Sequence, residues 1–171
     1  MKRNKRLSFI GFAVAFAMLR PLGFAAETAT PWSVQVNKVD PGEINLALSF
    51  QVAIYENLLD ELSKSKQFKR VLRDGDRNAS GIADLLVLKT TIEKYTAGSE
   101  TRRAVTTVSG ATKLTVRAQL STRDGKIILE RTVNGNVRFM GSNLRATHNL
   151  AHNVAKAITK ASLPEASSSA P

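Results

Sequence analysis

The chain has 171 residues, no cysteine and a formal net charge of +11. The lack of cysteine excludes disulfides, thiolate metal sites, a cysteine nucleophile and the lipid-modified cysteine that bacterial lipoproteins carry after their signal. A chain of this length can bury an ordinary hydrophobic core, so one domain is expected.

The N-terminus has the order of a secretory signal peptide. Four basic residues fall among the first six, an apolar run covers Leu7–Leu19, and Gly23-Phe24-Ala25 has small residues at the positions of a cleavage site. The apolar run of roughly 13 residues is shorter than the roughly 20 that span a bilayer. We therefore predict a signal peptide over residues 1–25, cleaved after Ala25 or alternatively after Ala26, and no transmembrane segment after cleavage.

Cleavage changes the charge of the protein. Five of the 25 basic residues leave with the signal and none of the 14 acidic residues does, so 20 basic against 14 acidic residues give the mature chain a net charge of +6. Residues 26–163 are predicted to form a single domain. Residues 164–171 contain no large apolar side chain and are predicted to be a disordered tail.

Within that domain, hydrophobic periodicity predicts five strands and two helices. Asp40-Pro41-Gly42-Glu43 carries a cap, a first-turn proline and a capping-box acid, which indicates a helix start. Asp124-Gly125 is typical of a hairpin turn, and Asn134-Gly135 predicts a second turn or bulge. In chain order, strands are predicted over 32–39, 68–72, 83–95, 114–121 (with an earlier piece at 105–108) and 127–133 (continuing to 139), and helices over 40–64 and 143–161.

This order predicts an α+β fold, a two-layer β-α-β-β-β-β-α sandwich whose mixed, mostly antiparallel sheet carries both helices on one face. Leu85–Leu88 is apolar on both faces, as in a central buried strand. The first helix is predicted to bury one apolar stripe, formed by Ile44, Leu48, Val52, Tyr55, Leu58, Leu59 and Leu62.

No motif predicts an enzyme, a metal or a cofactor. His148 and His152 are four residues apart on a helix, but Asn149 stands where a metalloprotease motif has glutamate. Residues 74–78 have the Asp-x-Asp-x-Asn spacing of a calcium loop without its acidic twelfth ligand, because Leu85 stands there. Surface histidines and a polar turn are the favoured interpretations, and no Gly-x-Ser-x-Gly elbow is present.

The candidate binding feature is the densest basic cluster, around the end of the first helix and the second strand; a second, smaller one is Arg102-Arg103. Nucleic-acid binding is not favoured, because only Phe68 could supply a stacking ring there. An anionic partner is one interpretation, and a solvated rim whose lysines favour the helix dipole is the other. The cluster consists of Lys64, Lys66, Lys69, Arg70 and Arg73.

Four segments together resemble a bacterial family of exported and lipoprotein-like domains, of the type at the N-terminus of TolB and in the curli-secretion lipoprotein. They are NLLDELSKSKQFKRVLRD, ADLLVLKTTIEKYTAGS, LTVRAQLSTRDGKIILERTV and NLAHNVAKAI, within residues 32–163. The resemblance implies contact with envelope proteins and brings no catalytic residues.

We therefore expect a non-enzymatic periplasmic or secreted envelope protein that acts through protein–protein contact. The alternatives are a binder of anionic lipid or envelope polysaccharide through the basic cluster, and a small metal-dependent hydrolase that would depend on the two histidines.

Overall fold

A computed structural model describes residues 32–99, 101–102, 111–137 and 142–163 of the chain. The predicted signal peptide, the strand piece at 105–108 and the C-terminal tail lie outside these residues. The elements are β1 (Ser33–Val36), α1 (Leu48–Ser65), β2 (Val71–Arg73), a short 3-10 helix (Arg77–Gly81), β3 (Leu85–Thr96), β4 (Thr112–Thr122), β5 (Ile127–Val137) and α2 (Arg145–Thr159).

The five strands form one mixed sheet in the order β2-β1-β3-β4-β5. β1 lies parallel to both β2 and β3, whereas β4 is antiparallel to both of its neighbours, β3 and β5. β1, β3 and β5 therefore point the same way. Since α1 follows β1 and α2 follows β5, both helices begin at the same end of the sheet, and Asn57 of α1 donates to the Thr147 hydroxyl of α2 at 2.9 Å.

The core lies between the sheet and the two helices. Alternate residues of the long strands, such as Leu86, Leu88, Leu114 and Leu120, are fully buried there against Leu58 and its neighbours. The opposite face of β3, β4 and β5 carries polar side chains that bond across the strands, as Thr115 does to Asn134 and Gln119 to Glu130. The α+β fold class, the element order and the two-layer layout are confirmed.

The start of α1 differs from its prediction. Asp40 does not cap a helix; its carboxylate accepts the Gly42 backbone N–H at 3.0 Å in a tight turn where Gly42 has φ +58°. The Asp40 backbone also bonds alongside β3, donating to Thr90 O and accepting from Ile92 N. These bonds keep the chain extended beside the sheet, so α1 begins only at Leu48, without a side-chain cap.

The Asn134-Gly135 prediction was also wrong, because both residues lie inside β5. Gly135 is needed there for close packing: a Cβ on it would lie 2.5 Å from Ala146 O and 2.7 Å from Leu150 N of α2. Beside this contact, Asn149 and Asn153 of α2 donate to backbone carbonyls of the edge strand, at Asn136 O (2.7 Å) and Asn134 O (2.8 Å).

Among the described residues, no helix combines the length and apolarity that crossing a bilayer requires.

Candidate functional site

A groove lies beside the first two turns of α1, and we call it the α1 groove. It has a volume of about 390 Å³. Leu48, Val52 and Tyr55 line it from the helix, and Lys38 and Val39 line it from the segment after β1. Gln51 and Glu56 complete its lining.

Two apolar side chains of the α1 groove are exposed to water. Leu48 is 72% exposed and Val52 50% exposed, whereas Ile54 and Leu58 on the same helix are fully buried. The predicted single stripe was therefore wrong at its N-terminal end. The helix buries Ile54, Leu58 and Leu62 and leaves the side that carries Leu48 and Val52 in water.

Hydrogen bonds hold both ends of the groove. The Gln51 side chain donates to Leu46 O at 2.8 Å, which ties the start of α1 to the loop before it. At the other end, the Tyr55 hydroxyl accepts the Asp74 backbone N–H at 2.9 Å. The groove is thus preformed, because side chains at both ends are tied to neighbouring backbone.

An ion pair closes the side of the groove that faces β2. Arg73 donates to both carboxylate oxygens of Glu56, at 2.6 and 2.7 Å, and its guanidinium lies 5.8 Å from the centre of the Tyr55 ring. The hydrogen bonds from Arg73 lower the pKa of Glu56 below its ordinary value. Glu56 is therefore negatively charged at the groove at neutral pH.

The predicted basic cluster is divided by the structure. Lys64 is paired with Asp60 at 2.5 Å and with Glu61 at 3.3 Å, and Arg73 is occupied by Glu56. The other three members are exposed, and within the described parts of the chain none of them forms an ion pair: Lys66, Lys69 and Arg70. Lys66 takes a left-handed conformation (φ 53°) that ends α1, so its position also has a structural role.

The two histidines are exposed on α2. His152 Nδ1 lies 2.9 Å from Glu61 Oε2, a carboxylate from α1 that sequence spacing could not place beside it. This hydrogen bond is the main cause of the lowered pKa of Glu61. The described residues contain no group of three or more histidine or acidic side chains placed to hold a metal ion.

The segment with calcium-like spacing forms a capped polar turn. The Asp76 carboxylate accepts the Asn78 backbone N–H at 2.9 Å and so begins the 3-10 helix. The Asp74 carboxylate accepts the Lys38 backbone N–H at 3.4 Å. The carboxylates serve the local backbone, and they link this turn to the segment after β1.

The described residues form a two-layer α+β domain with an exposed apolar groove beside α1. Neither a protein-family model nor a curated protein matches the chain. The resemblance to the TolB type of domain therefore stays a prediction.

Some solved bacterial structures are similar to the chain at low sequence identity. PelC from Paraburkholderia phytofirmans, solved as a dodecamer in two crystal forms, is similar with a TM-score of 0.53 in both. One form is 15% identical, with 77% of this chain and 88% of PelC covered, and the other is 12% identical, with 72% and 86% covered. A hypothetical protein from Chlamydia trachomatis is 13% identical, with 61% of this chain and 71% of that chain covered and a TM-score of 0.38.

Proposed function

We propose that this chain is a non-enzymatic, exported protein of the bacterial envelope that acts through protein–protein contact at the α1 groove. The exposure of Leu48 and Val52 in a preformed concavity carries the proposal. Apolar side chains grouped in a concave surface are typical of contact sites, whereas single exposed apolar residues are ordinary. Export follows from the signal peptide predicted over residues 1–25.

Two likenesses support contact as the role. The TolB and curli-secretion type of domain, which the sequence resembles, works in envelope assemblies. PelC, which shares the fold, is a dodecamer in its crystals. Because fold alone does not define function, the groove remains the observation on which the proposal depends.

Site-specific photo-crosslinking in a Gram-negative bacterium tests the proposal. The full chain would carry a photoreactive residue at Leu48, or at Lys94 as the control, an exposed position of β3 away from the groove. We expect a discrete covalent adduct from position 48 only, and a mature N-terminus just after Ala25 or Ala26. No adduct at 48, or the same adduct from 94, would refute contact at the groove; an uncleaved chain in the cytoplasm would refute export.

A second candidate function is binding of an anionic lipid or polysaccharide through Lys66, Lys69 and Arg70. It is favoured by their exposure and by the absence of ion pairs to them within the described residues. Alanine at all three should abolish sedimentation with vesicles of anionic phospholipid, or binding of an acidic polysaccharide in a parallel assay. Lys64→Ala is the matched control, because Lys64 is already paired. Binding that survives the triple substitution, or that does not weaken with salt, would contradict this candidate.

A further inference from the structure

Two histidines lie one turn apart on the exposed side of α2. His148 and His152 are four residues apart within Arg145–Thr159, and both are exposed. Residues four apart on a helix are neighbours on one face, so two imidazoles at this spacing can bind one metal ion together. The spacing alone is common on protein surfaces, but here the structure adds a carboxylate from the other helix.

Glu61 of α1 fixes the ring of His152. The Nδ1 atom of His152 lies 2.9 Å from Glu61 Oε2. The pKa of Glu61 is lowered, above all by this hydrogen bond, so Glu61 is ionised at neutral pH and can only accept a hydrogen from the ring. In neutral His152 the proton is therefore on Nδ1, which leaves the lone pair of Nε2 available to a metal ion.

The carboxylate of Glu61 is itself held in place. Its side chain is only 11% exposed, and its other oxygen, Oε1, lies 3.3 Å from Lys64 Nζ. Because both oxygens are engaged, Glu61 is placed to orient the ring of His152 and not to bind the ion itself. Histidines that bind metal in proteins almost always donate their other N–H in this way, to a carboxylate, a carbonyl or water.

The charges around the two rings do not by themselves attract a cation. Asp60 and Glu61 are opposed by Lys64, which pairs with both. On α2, Arg145 comes three residues before the histidine pair and Lys156 four residues after it, at spacings that share a helix face. An ion must therefore be held by its bonds to imidazole nitrogen. Imidazole suits Zn²⁺, Cu²⁺ and Ni²⁺, whereas Mg²⁺ and Ca²⁺ prefer oxygen ligands.

We propose that His148 and His152 form an exchangeable binding site for one Zn²⁺, Cu²⁺ or Ni²⁺ ion, in which Glu61 holds His152 in the orientation that binds metal. The described residues contain no group of three or more histidine or acidic side chains placed to hold a metal, so water completes the coordination. Two protein ligands are fewer than the three or four of catalytic and structural zinc sites, so the ion exchanges readily. The site does not depend on the α1 groove or on the function proposed for it.

Calorimetric titration with ZnCl₂ tests the site, on the purified mature chain without a polyhistidine tag. We expect saturable binding of one Zn²⁺ per chain below about 1 mM, and none of Mg²⁺. His148→Ala and His152→Ala should each weaken binding at least roughly tenfold, because a chelated ion loses the advantage of its second, intramolecular ligand. Both positions are exposed, so the variants should melt like the wild type. No saturable Zn²⁺ binding, or unchanged binding in either variant, would overturn the site.

A matched pair of variants tests the positioning role of Glu61. Glu61→Ala and Asp60→Ala each remove one negative charge from α1, but of the two residues only Glu61 bonds to His152. We expect Glu61→Ala to weaken Zn²⁺ binding about tenfold, the lower end of what losing such a carboxylate costs. Asp60→Ala should change it by less than about threefold, because the charge of an exposed group is screened by salt. Equal losses would show that Glu61 acts by charge alone and would overturn its positioning role.

Nitrogen NMR spectra of the histidine rings give an independent readout. Zn²⁺ should shift the Nε2 resonance of His152 while Nδ1 keeps its proton and its bond to Glu61. Coordination through Nδ1 would break that bond, and this result would overturn the proposed arrangement.

Discussion

Replacing Gly135 by alanine tests the packing of α2 on the sheet. The added Cβ would lie 2.5 Å from Ala146 O and from Leu150 Cβ, and 2.7 Å from Leu150 N. These are backbone atoms or a Cβ, which cannot move aside like the end of a flexible side chain, so the whole helix must shift. Overpacking of this kind costs about 1 to 3 kcal/mol, and the rigid neighbours place Gly135→Ala near about 3 kcal/mol.

That loss should be visible as a lower melting temperature. At about 3 to 4 °C per kcal/mol for a domain of this size, the Tm should fall by roughly 10 °C in circular-dichroism melts. Gly81→Ala is the matched control, because a Cβ at Gly81 would meet nothing within 4 Å and its φ is not in the left-handed region. If Gly135→Ala melted within about 2 °C of the wild type, α2 could not lie against β5 as closely as we describe.

Two further substitutions test contacts between α2 and its neighbours. Alanine at both Asn149 and Asn153 removes two hydrogen bonds to the edge strand β5. Urea unfolding should then show a loss of about 2 kcal/mol in the free energy of unfolding, and light scattering should show more aggregation on heating, because the edge strand loses two groups that cover its backbone. Lys156→Ala, on the exposed side of α2, should change neither readout, and equal behaviour of the two variants would contradict the role of these asparagines in protecting the edge strand. The pKa of Glu61 is lowered mainly by its hydrogen bond with His152. A carboxyl whose pKa is lower in the folded chain than in the unfolded chain, where it is about 4.5, stabilises the fold above that pH. This stabilisation is lost as the pH falls through the pKa of the folded chain. Glu61→Gln should therefore flatten the fall of Tm with pH below about 4.5, and a variant with the wild-type acid profile would show that this carboxylate does not contribute.

Sequence patterns predicted most of the fold, because local signals and the core agreed. The apolar run at Leu85–Leu88 became the central strand, and the Asp-Gly turn joined β4 to β5. The sequence patterns gave wrong predictions where a tertiary contact outweighed a local motif. Asp40-Pro41-Gly42-Glu43 has the residues of a helix start, yet its backbone bonds beside β3 delay the helix by two turns.

Asn134-Gly135 failed for a related reason. Asparagine followed by glycine is a strong turn signal when considered alone. Here the missing side chain of Gly135 allows α2 to approach. The signal that could have indicated this was the pair Asn149 and Asn153, four residues apart on α2, whose amides reach the strand that Gly135 belongs to.

The candidate site was harder to predict, since it depends on which side of α1 meets the sheet. Periodicity placed Leu48 and Val52 with Leu58 and Leu62 in one stripe, but it cannot show where along a helix the sheet stops covering that stripe. The sequence showed the basic cluster, but it could not show which of its members are paired with carboxylates. Glu56, which pairs with Arg73, is 17 residues away from it along the chain. Pairing reduces the cluster to three cations and keeps Glu56 charged beside the groove.

The same ion pair connects the two candidate functions. Arg73 belongs to the basic cluster by sequence, but its bidentate bond to Glu56 places it at the groove, against Tyr55. Exposed ion pairs contribute only about 0 to 1 kcal/mol to stability, so the value of this one lies in fixing the groove's shape. Arg73→Ala should therefore leave the Tm almost unchanged and still reduce the crosslinked adduct formed from position 48. If Arg73→Ala instead abolished vesicle binding and left the adduct intact, Arg73 would belong to the basic surface that binds an anionic partner. That contrast decides which of the two surfaces this residue serves.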